Sequence, residues 1–161
     1  MTISVGDKMP EATFNVMTAE GPGQMTTAEL FDGRKVAIFA VPGAFTPTCH
    51  MKHLPGFVSN ADALKAKGVD TIACVSVNDV FVMDAWAEHS GAKDKITFLA
   101  DGSANFTKAI GMELDASGFG MGIRSKRYAM LVDDGVVKVI NEEDAPGSAE
   151  ISSAEEMLKA L

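Results

Sequence analysis

Cys49 stands at the end of a loop rich in proline, glycine and threonine, residues 42–48. The apolar run 36–41 before this loop predicts a buried strand, and the residues after Cys49 can begin a helix. Unpaired backbone N–H groups at a helix start favour the thiolate, which is the nucleophilic form of cysteine. The spacing therefore predicts a strand-to-helix turn that presents a reactive thiol.

The alternative for any free cysteine is burial as a small hydrophobic side chain, since cysteine is among the most buried residue types. Cys74, the second cysteine of the chain, fits that alternative because it lies inside the apolar stretch 71–75. Cys49 fits it less well because turn-forming residues precede it. Cys49 is therefore the candidate nucleophile, and Cys74 is expected in a strand.

His50 and His53 lie one helical turn apart directly after Cys49, a spacing that two metal ligands can share. No further cysteine, histidine or acidic cluster completes a ligand set beside them, so we predict neither a metal site nor a cofactor. His89 stands where a helix is predicted to end, a position that favours positive charge, and it is assigned no chemistry.

Short apolar, β-branched runs alternate with segments of helical pattern, which favours an α/β fold. The predicted strands are 35–41, 69–77, 96–99, 129–132 and 136–140. The predicted helices are 49–67, 80–89, 104–110 and 154–161. No repeat, low-complexity tract or linker divides the sequence, so we expect one domain over residues 1–161.

Local signals mark the ends of several of these elements. Asp79 precedes the second helix, and Ser153 with Glu156 forms a predicted capping box for the last helix. Asp134-Gly135 between two β-rich runs predicts a tight hairpin turn. Pro55 falls inside the first helix, where a missing N–H and a bulky ring predict a kink or a break.

Composition excludes several classes of partner. The formal net charge is -8 and the sequence pI is about 4.8, whereas nucleic acids and anionic membranes reward an excess of Lys and Arg. The apolar stretches are far shorter than the roughly 20 residues that a membrane-spanning helix requires. Two cysteines and no secretory signal favour a reducing compartment, so we expect the cytoplasm.

The string Pro42-x-x-x-Thr46-x-x-Cys49 matches the active-site signature of peroxiredoxins, and residues 41–58 resemble the type II, peroxiredoxin-5-like branch. Further similar strings lie at 75–79, 81–86, 124–128 and 131–135, so the resemblance covers most of the chain. It implies a thioredoxin-like fold with a central mixed β-sheet flanked by helices. It also implies a thiol-dependent peroxidase that reduces hydrogen peroxide and organic hydroperoxides through a sulfenic acid on Cys49.

The resemblance assigns roles to residues around Cys49. The Thr46 hydroxyl is expected to hydrogen-bond the thiolate or the peroxide, and Pro42 is expected to fix the loop and shield the sulfur. Counting back from the predicted hairpin places Arg127 at the position of the family's active-site arginine. Arg124 is expected on the surface or at a dimer interface. His53 matches a type II position, either as an assisting group or as a structural one.

The resemblance also bears on regeneration and assembly. Some type II relatives carry a second cysteine at the spacing of Cys74, which leaves a resolving role open, but no cysteine follows Cys74. An external reductant is therefore expected, either glutaredoxin with glutathione or thioredoxin. The family also implies a homodimer, with Phe45 and the loop 118–122 at the active-site mouth or the dimer contact.

Other functions remain open at this point. A thioredoxin-like redox sensor or binding protein would share the oxidation of Cys49 without efficient turnover. A thiol-disulfide oxidoreductase is disfavoured, because Thr46 occupies the position where a Cys-x-x-Cys pair would need its first cysteine.

Overall fold

The computed structural model describes residues 2–145 and 147–161. Its strands are β1 (Thr13–Thr18), β2 (Gly21–Thr26), β3 (Lys35–Val41), β4 (Thr71–Ser76), β5 (Thr97–Ala100), β6 (Glu113–Asp115), β7 (Ile123–Ser125), β8 (Tyr128–Asp133) and β9 (Val136–Glu142). Its α-helices are α1 (Thr27–Phe31), α2 (Leu54–Ser59), α3 (Ala61–Ala66), α4 (Val80–His89), α5 (Asn105–Ala109) and α6 (Ala154–Lys159). A π-helical turn, Cys49–His53, precedes α2. None of the described helices is long and apolar enough to cross a membrane.

The main sheet has seven strands in the order β2-β1-β5-β4-β3-β8-β9. β3 pairs in parallel with β4, and β4 pairs in parallel with β5. β8 joins β3 antiparallel and forms a hairpin with β9. The expected thioredoxin-like, mixed sheet flanked by helices is confirmed.

β3 lies at the centre of the sheet, and apolar layers cover both of its faces. Ala37, Phe39 and Val41 pack into one layer, whereas Val36, Ile38 and Ala40 pack into the other. A strand buried on both sides reads as a continuous apolar run, which is why its bounds could be predicted from sequence. Phe39 stacks on Phe57 of α2 with ring centroids 4.1 Å apart, and this contact fixes the helix after Cys49 against the sheet.

The five predicted strands are confirmed with small changes of bounds, but the β1–β2 hairpin and the short β6–β7 pair were missed. β2 begins with Gly21-Pro22-Gly23, a string typical of loops. β2 is an edge strand, where proline is tolerated because its missing N–H is not needed for pairing on both sides. The helix α1 was also missed, although Thr26 and Glu29 form a complete capping box before it.

The predicted helix 49–67 is interrupted, as Pro55 led us to expect. The N–H of Leu54 reaches five residues back to the carbonyl of Cys49, and the ordinary helix begins only there. A second interruption at Asn60 separates α2 from α3. The chain therefore places Cys49 and His53 on one π-helical turn at the start of the helical segment.

The predicted caps of α4 and α6 and the predicted hairpin turn are present, but the capping box of α6 is incomplete. Asp79 caps α4 by accepting the N–H of Val82 at 2.9 Å. Ser153 caps α6 by accepting the N–H of Glu156 at 3.2 Å, whereas the Glu156 carboxylate pairs with Lys159. Asp134-Gly135 forms the tight turn with positive φ angles of 49° and 78°.

The buried hydroxyl of Tyr128 is a group whose removal should stabilise the fold. Tyr128 is fully buried, and its hydroxyl has no hydrogen-bond partner among the described residues. Burial raises the pKa of Tyr128, so the hydroxyl stays neutral. Because an unsatisfied buried polar group is costly, Tyr128→Phe should raise the free energy of unfolding by about 1 kcal/mol in urea titrations.

A matched control for this change is Thr107→Val. The Thr107 hydroxyl is also buried, but it donates to Asp101 at 2.7 Å. Its removal should therefore lower the free energy of unfolding. Destabilisation by Tyr128→Phe, similar to that of Thr107→Val, would show that the tyrosine hydroxyl has a stabilising partner.

Candidate active site

The loop after β3 is held in place by the end of the neighbouring strand β4. The side-chain oxygen of Asn78 accepts the N–H of Ala44 at 3.0 Å and the hydroxyl of Ser76 at 2.6 Å. Val41, the last residue of β3, pairs with Ser76 in the parallel register. The two strand ends therefore fix the loop that leads to the cysteine. Sequence reasoning assigned neither Ser76 nor Asn78 a role at the active site.

Cys49 is fully buried, but polar donors contact its sulfur. Thr46 Oγ1 lies 2.9 Å from Cys49 Sγ, and Arg127 Nη2 donates to the same sulfur at 3.0 Å. Among the described residues, the donors to Sγ are therefore side chains, whereas the sequence led us to expect backbone N–H groups of the helix start. A guanidinium at this distance stabilises a thiolate more than a neutral thiol. The alternative of Cys49 as a mere apolar core residue does not account for these contacts.

Arg127 reaches the cysteine because of the antiparallel pairing of β8 with β3. Tyr128, the first residue of β8, pairs with Ala40 near the end of β3, and Arg127 immediately precedes it. The side chain of Arg127 is buried and donates through Nη1 to Nδ1 of His53 at 2.9 Å. The sheet register thus brings Arg127 to the loop that carries Cys49.

His53 is held in one tautomer by its two partners. Nε2 lies 2.9 Å from the carbonyl of Ser152, which can only accept, so Nε2 carries the proton. Nδ1 accepts from the Arg127 guanidinium. Burial, with a further contribution from the charge of Arg127, lowers the pKa of His53 to about 3. His53 is therefore neutral at physiological pH, and it packs against Phe39 and Phe57.

Thr46 has one hydroxyl hydrogen and two acceptors within reach. Its Oγ1 lies 2.6 Å from the carbonyl of Gly43 and 2.9 Å from Cys49 Sγ. The hydrogen can point to the Gly43 carbonyl or rotate toward the sulfur, because a hydroxyl rotor is free to select its acceptor. Pro42, at the start of the loop, is buried and supplies no N–H donor.

Arg124, which we expect on the surface or at a dimer interface, packs against the active-site loop. It is half-buried, and its Nε donates to the carbonyl of Met121 at 3.0 Å. A Cβ atom on Gly43 would lie 3.1 Å from Nη1 of Arg124 and 3.0 Å from the Thr46 methyl group. A side chain at position 43 would therefore crowd Arg124 and Thr46. Arg124 itself is not among the donors to Cys49 Sγ described above.

The other histidines form an aromatic group beside the loop. His50 Nδ1 accepts the indole N–H of Trp86 at 3.1 Å, and the ring of His50 lies 5.5 Å from that of His89. Phe45, which is 45% exposed, covers both imidazoles at 5.8 Å and adopts a positive φ of 64°. Within residues 2–145 and 147–161, no group of three or more His, Cys, Asp or Glu side chains is arranged to hold a metal ion.

Cys74 lies in β4, as its apolar surroundings predicted, and both cysteines are free and buried. Cys74 and Cys49 belong to the same apolar layer, on the α2 side of the sheet. Burial raises the pKa of the Cys74 thiol well above its usual range, and the neighbouring Cys49 adds to this effect. Cys74 is therefore a protonated and poorly nucleophilic thiol in this conformation.

Comparisons with known proteins agree with this geometry. A family model described as Redoxin matches residues 4–158. Peroxiredoxin-2E-2, chloroplastic, of Oryza sativa subsp. japonica is 58% identical over 165 residues, which cover 99% of this chain and 73% of the relative. Peroxiredoxin-2B of Arabidopsis thaliana is 48% identical over 162 residues, with 99% and 98% of the two chains covered.

Solved structures that superpose on this chain are also peroxiredoxins. The reduced Prx3 of Vibrio vulnificus in complex with H2O2 superposes with a TM-score of 0.94 at 56% identity, over 99% of each chain. Peroxiredoxin 5 from Alvinella pompejana has a TM-score of 0.86 at 36% identity and covers 98% of this chain and 97% of its own. The chain therefore belongs to the peroxiredoxins, in their type II or peroxiredoxin-5-like branch, and is a thiol-dependent peroxidase.

Proposed function

We propose that Cys49 is the thiol that attacks the peroxide. The observation that carries this assignment is the pair of donors, Thr46 and Arg127, directed at one buried sulfur. The Arg127 guanidinium donates through Nη2 to Cys49 Sγ and through Nη1 to neutral His53, so it places a positive charge beside the sulfur. The site is thus arranged for an anion at Cys49 Sγ.

The reaction is a displacement at oxygen. The Cys49 thiolate attacks the terminal oxygen of a hydroperoxide, an S–O bond forms, and the weak O–O bond breaks. The leaving hydroxide or alkoxide takes up a proton and departs as water or an alcohol. The products are a sulfenic acid on Cys49 and one reduced oxygen compound, so atoms and electrons balance.

Arg127 and Thr46 stabilise the charge that develops during this displacement. The guanidinium is always protonated and presents several donors in a fixed fork, so it can contact both the sulfur and an entering oxygen. The Thr46 hydroxyl can turn from the Gly43 carbonyl toward the sulfur or the peroxide without moving the backbone. Pro42 limits access of water by filling space at the start of the loop. His53 assists by accepting a hydrogen bond from Arg127.

Regeneration is proposed to depend on an external thiol, from glutathione with glutaredoxin or from thioredoxin. A reductant thiolate displaces the sulfenic oxygen as water and forms a mixed disulfide with Cys49. A second thiol then attacks the reductant's sulfur in this mixed disulfide. Cys49 leaves as the reduced thiolate, and the two reductant thiols end as a disulfide. Cys74 is a poor internal substitute because it is buried and its pKa is raised.

Cys74→Ser should therefore keep most of its peroxidase turnover with at least one of these donors. The measurement is NADPH consumption coupled to each donor system separately, with hydrogen peroxide and with an organic hydroperoxide. Peroxide-treated protein should contain little Cys49–Cys74 disulfide in peptide mass maps. Loss of turnover in Cys74→Ser, together with abundant internal disulfide, would overturn this scheme and require local unfolding in each cycle.

A homodimer is proposed from exposed apolar side chains in and beside the loop 118–122 and in the loop before Cys49. Phe119 is 86% exposed, and Ile123 and Phe45 are also exposed. Exposed apolar surface marks interaction sites, and homodimers pair identical patches around a two-fold axis. Light scattering should give the dimer mass for the native chain and a smaller mass for Phe119→Lys. Phe81→Lys, at a 65% exposed position on α4, is the control, and a monomeric native chain would refute the dimer.

The single domain over residues 1–161 and the cytoplasmic location are also proposals. One domain is supported by a backbone hydrogen bond from the N–H of Gly6 to the carbonyl of Val137. Residues near the start of the chain therefore pack on β9. Support for a reducing compartment is that both cysteines are free. The relatives named above include a chloroplastic enzyme, so fluorescence microscopy of the tagged protein is the measurement that decides location.

A further inference from the structure

A closed circuit of hydrogen bonds begins and ends at Arg127. The main-chain carbonyl of Arg127 accepts the N–H of Glu143 at 3.0 Å. Oε2 of Glu143 accepts the N–H of Ser152 at 2.6 Å and the hydroxyl of Ser152 at 2.7 Å. The Ser152 carbonyl accepts from Nε2 of His53, and Nδ1 of His53 accepts from Nη1 of Arg127, each at 2.9 Å.

All members of this circuit are buried. Ser152 has no exposed surface, Arg127 and His53 are each 2% exposed, and Glu143 is 9% exposed. A buried donor that loses its acceptor is costly, so the bonds of the circuit stabilise one arrangement together. The circuit therefore links the backbone of Arg127 to its own guanidinium through the segment between β9 and α6.

The circuit fixes the orientation of the Arg127 guanidinium relative to Cys49 Sγ. The Arg127 guanidinium is the end of a flexible side chain, and its contact with Cys49 Sγ fixes only one corner of the plane. His53 fixes a second corner, provided that its own ring cannot turn or change tautomer. The Ser152 carbonyl prevents both, because it holds the proton of His53 on Nε2.

The Ser152 carbonyl can do this only if the loop around it is fixed. Glu143 supplies that anchor, since one carboxylate oxygen accepts two donors of Ser152. A second contact joins the same segment to the loop that carries the cysteine, because the Thr48 hydroxyl donates to the carbonyl of Gly147 at 3.0 Å. The segment after β9 is thus tied to the active site on both of its sides.

We propose that Glu143 and Ser152 are positioning residues that hold neutral His53 so that Arg127 Nη2 is aimed at Cys49 Sγ. The proposal rests on the role that the proposed function gives to Arg127. Neither residue touches the sulfur, so each acts through His53 and Arg127. Glu143 and Ser152 could not be identified from the sequence. Glu143, for example, resembles any charged residue near the end of a strand.

The test compares Glu143→Ala with Glu142→Ala, its neighbour on the chain. Glu142 is partly exposed and pairs with Lys126 at 3.2 Å, outside the circuit. Glu143→Ala should slow the stopped-flow oxidation of Cys49 by hydrogen peroxide roughly 10- to 100-fold, the effect expected when a reacting group is misplaced by about 1 Å. Glu142→Ala should leave the rate unchanged, and Glu143→Gln, which keeps an acceptor oxygen, should fall between the two.

Two further readouts separate positioning from a loss of fold. Near-ultraviolet circular dichroism of Glu143→Ala should match that of the native protein, which shows that the fold is kept. Nitrogen NMR of the His53 ring should show the Nε2–H tautomer in the native protein and a mixture of tautomers in the variant. If Glu143→Ala does not fold, Glu143→Gln carries the same measurements.

A double-mutant cycle with Arg127→Ala gives the decisive outcome. If Glu143 acts through Arg127, its substitution should change the oxidation rate by less than about 2-fold once Arg127 is absent, since coupled residues are not additive. Equal effects of the Glu143 substitution in both backgrounds would overturn the positioning role, as would an unchanged rate in the native background. Failure of Arg127→Ala alone to slow oxidation would instead refute the proposed function.

Discussion

Cys49→Ser should have no peroxidase turnover above background, although it should fold like the native protein. The substitution replaces the sulfur by a hydroxyl that has no accessible anion at neutral pH, so the displacement at oxygen loses its nucleophile. The change in volume is small, and a serine hydroxyl can still bond with Thr46 and Arg127 at this buried position. Turnover is measured by NADPH consumption with each donor, and the fold by near-ultraviolet circular dichroism.

The same chemical change at Cys74 is the matched control. Cys74 is also buried in the apolar layer that contains Cys49, but no donor pair is recorded on its sulfur among the described residues. Cys74→Ser should therefore keep turnover while Cys49→Ser loses it. Turnover that survives in Cys49→Ser, or that disappears equally in both variants, would contradict the assignment of the nucleophile.

Arg127→Ala should slow the oxidation of Cys49 by about 100- to 1000-fold, the size expected when one preorganised donor to a developing charge is removed. Arg127 is the cation in contact with the sulfur, and it is held by His53 on its other side. Stopped-flow fluorescence of the single tryptophan, Trp86, can follow the oxidation because Trp86 bonds to His50 in the turn that carries Cys49. Arg127→Lys should rescue little, since a lysine cannot contact Sγ and His53 in a fixed fork.

Arg124→Ala is the control for charge alone. Arg124 lies against Gly43 and bonds to the Met121 carbonyl, so its loss removes a positive charge beside the loop without removing the contact to sulfur. Its effect on the oxidation rate should be smaller than that of Arg127→Ala by at least about 10-fold. Equal losses in the two variants would show that the general positive field, not the Arg127 contact, favours the reaction.

The strand-to-helix turn of Cys49 could be predicted from sequence because its signals are local. A continuous apolar run ends at Val41, a proline follows, and the cysteine stands after a short turn-forming loop. Arg127 required more, because Arg124 is a second arginine close by in the chain. Only the resemblance distinguished Arg127 from Arg124, and the register of β8 against β3 gives the physical reason.

The circuit around His53 was beyond sequence reasoning because its members are far apart in the chain. His53 and Ser152 are separated by 99 residues, and the carbonyl that His53 contacts belongs to the backbone, which carries no residue-specific signal. The contact of Arg124 with the active-site loop also joins residues far apart in the chain. The absence of a side chain at Gly43 opens space for Arg124 against that loop.

The central claim is that peroxide oxidises Cys49 to a sulfenic acid that an external thiol then reduces. The most direct measurement is to treat the reduced protein with one equivalent of hydrogen peroxide in the presence of a reagent that traps sulfenic acids, and to map the modified peptides by mass spectrometry. The adduct should lie on Cys49, Cys74 should stay a free thiol, and glutathione added before the reagent should prevent the adduct. An adduct on Cys74, or an unmodified Cys49 after peroxide consumption, would contradict the account.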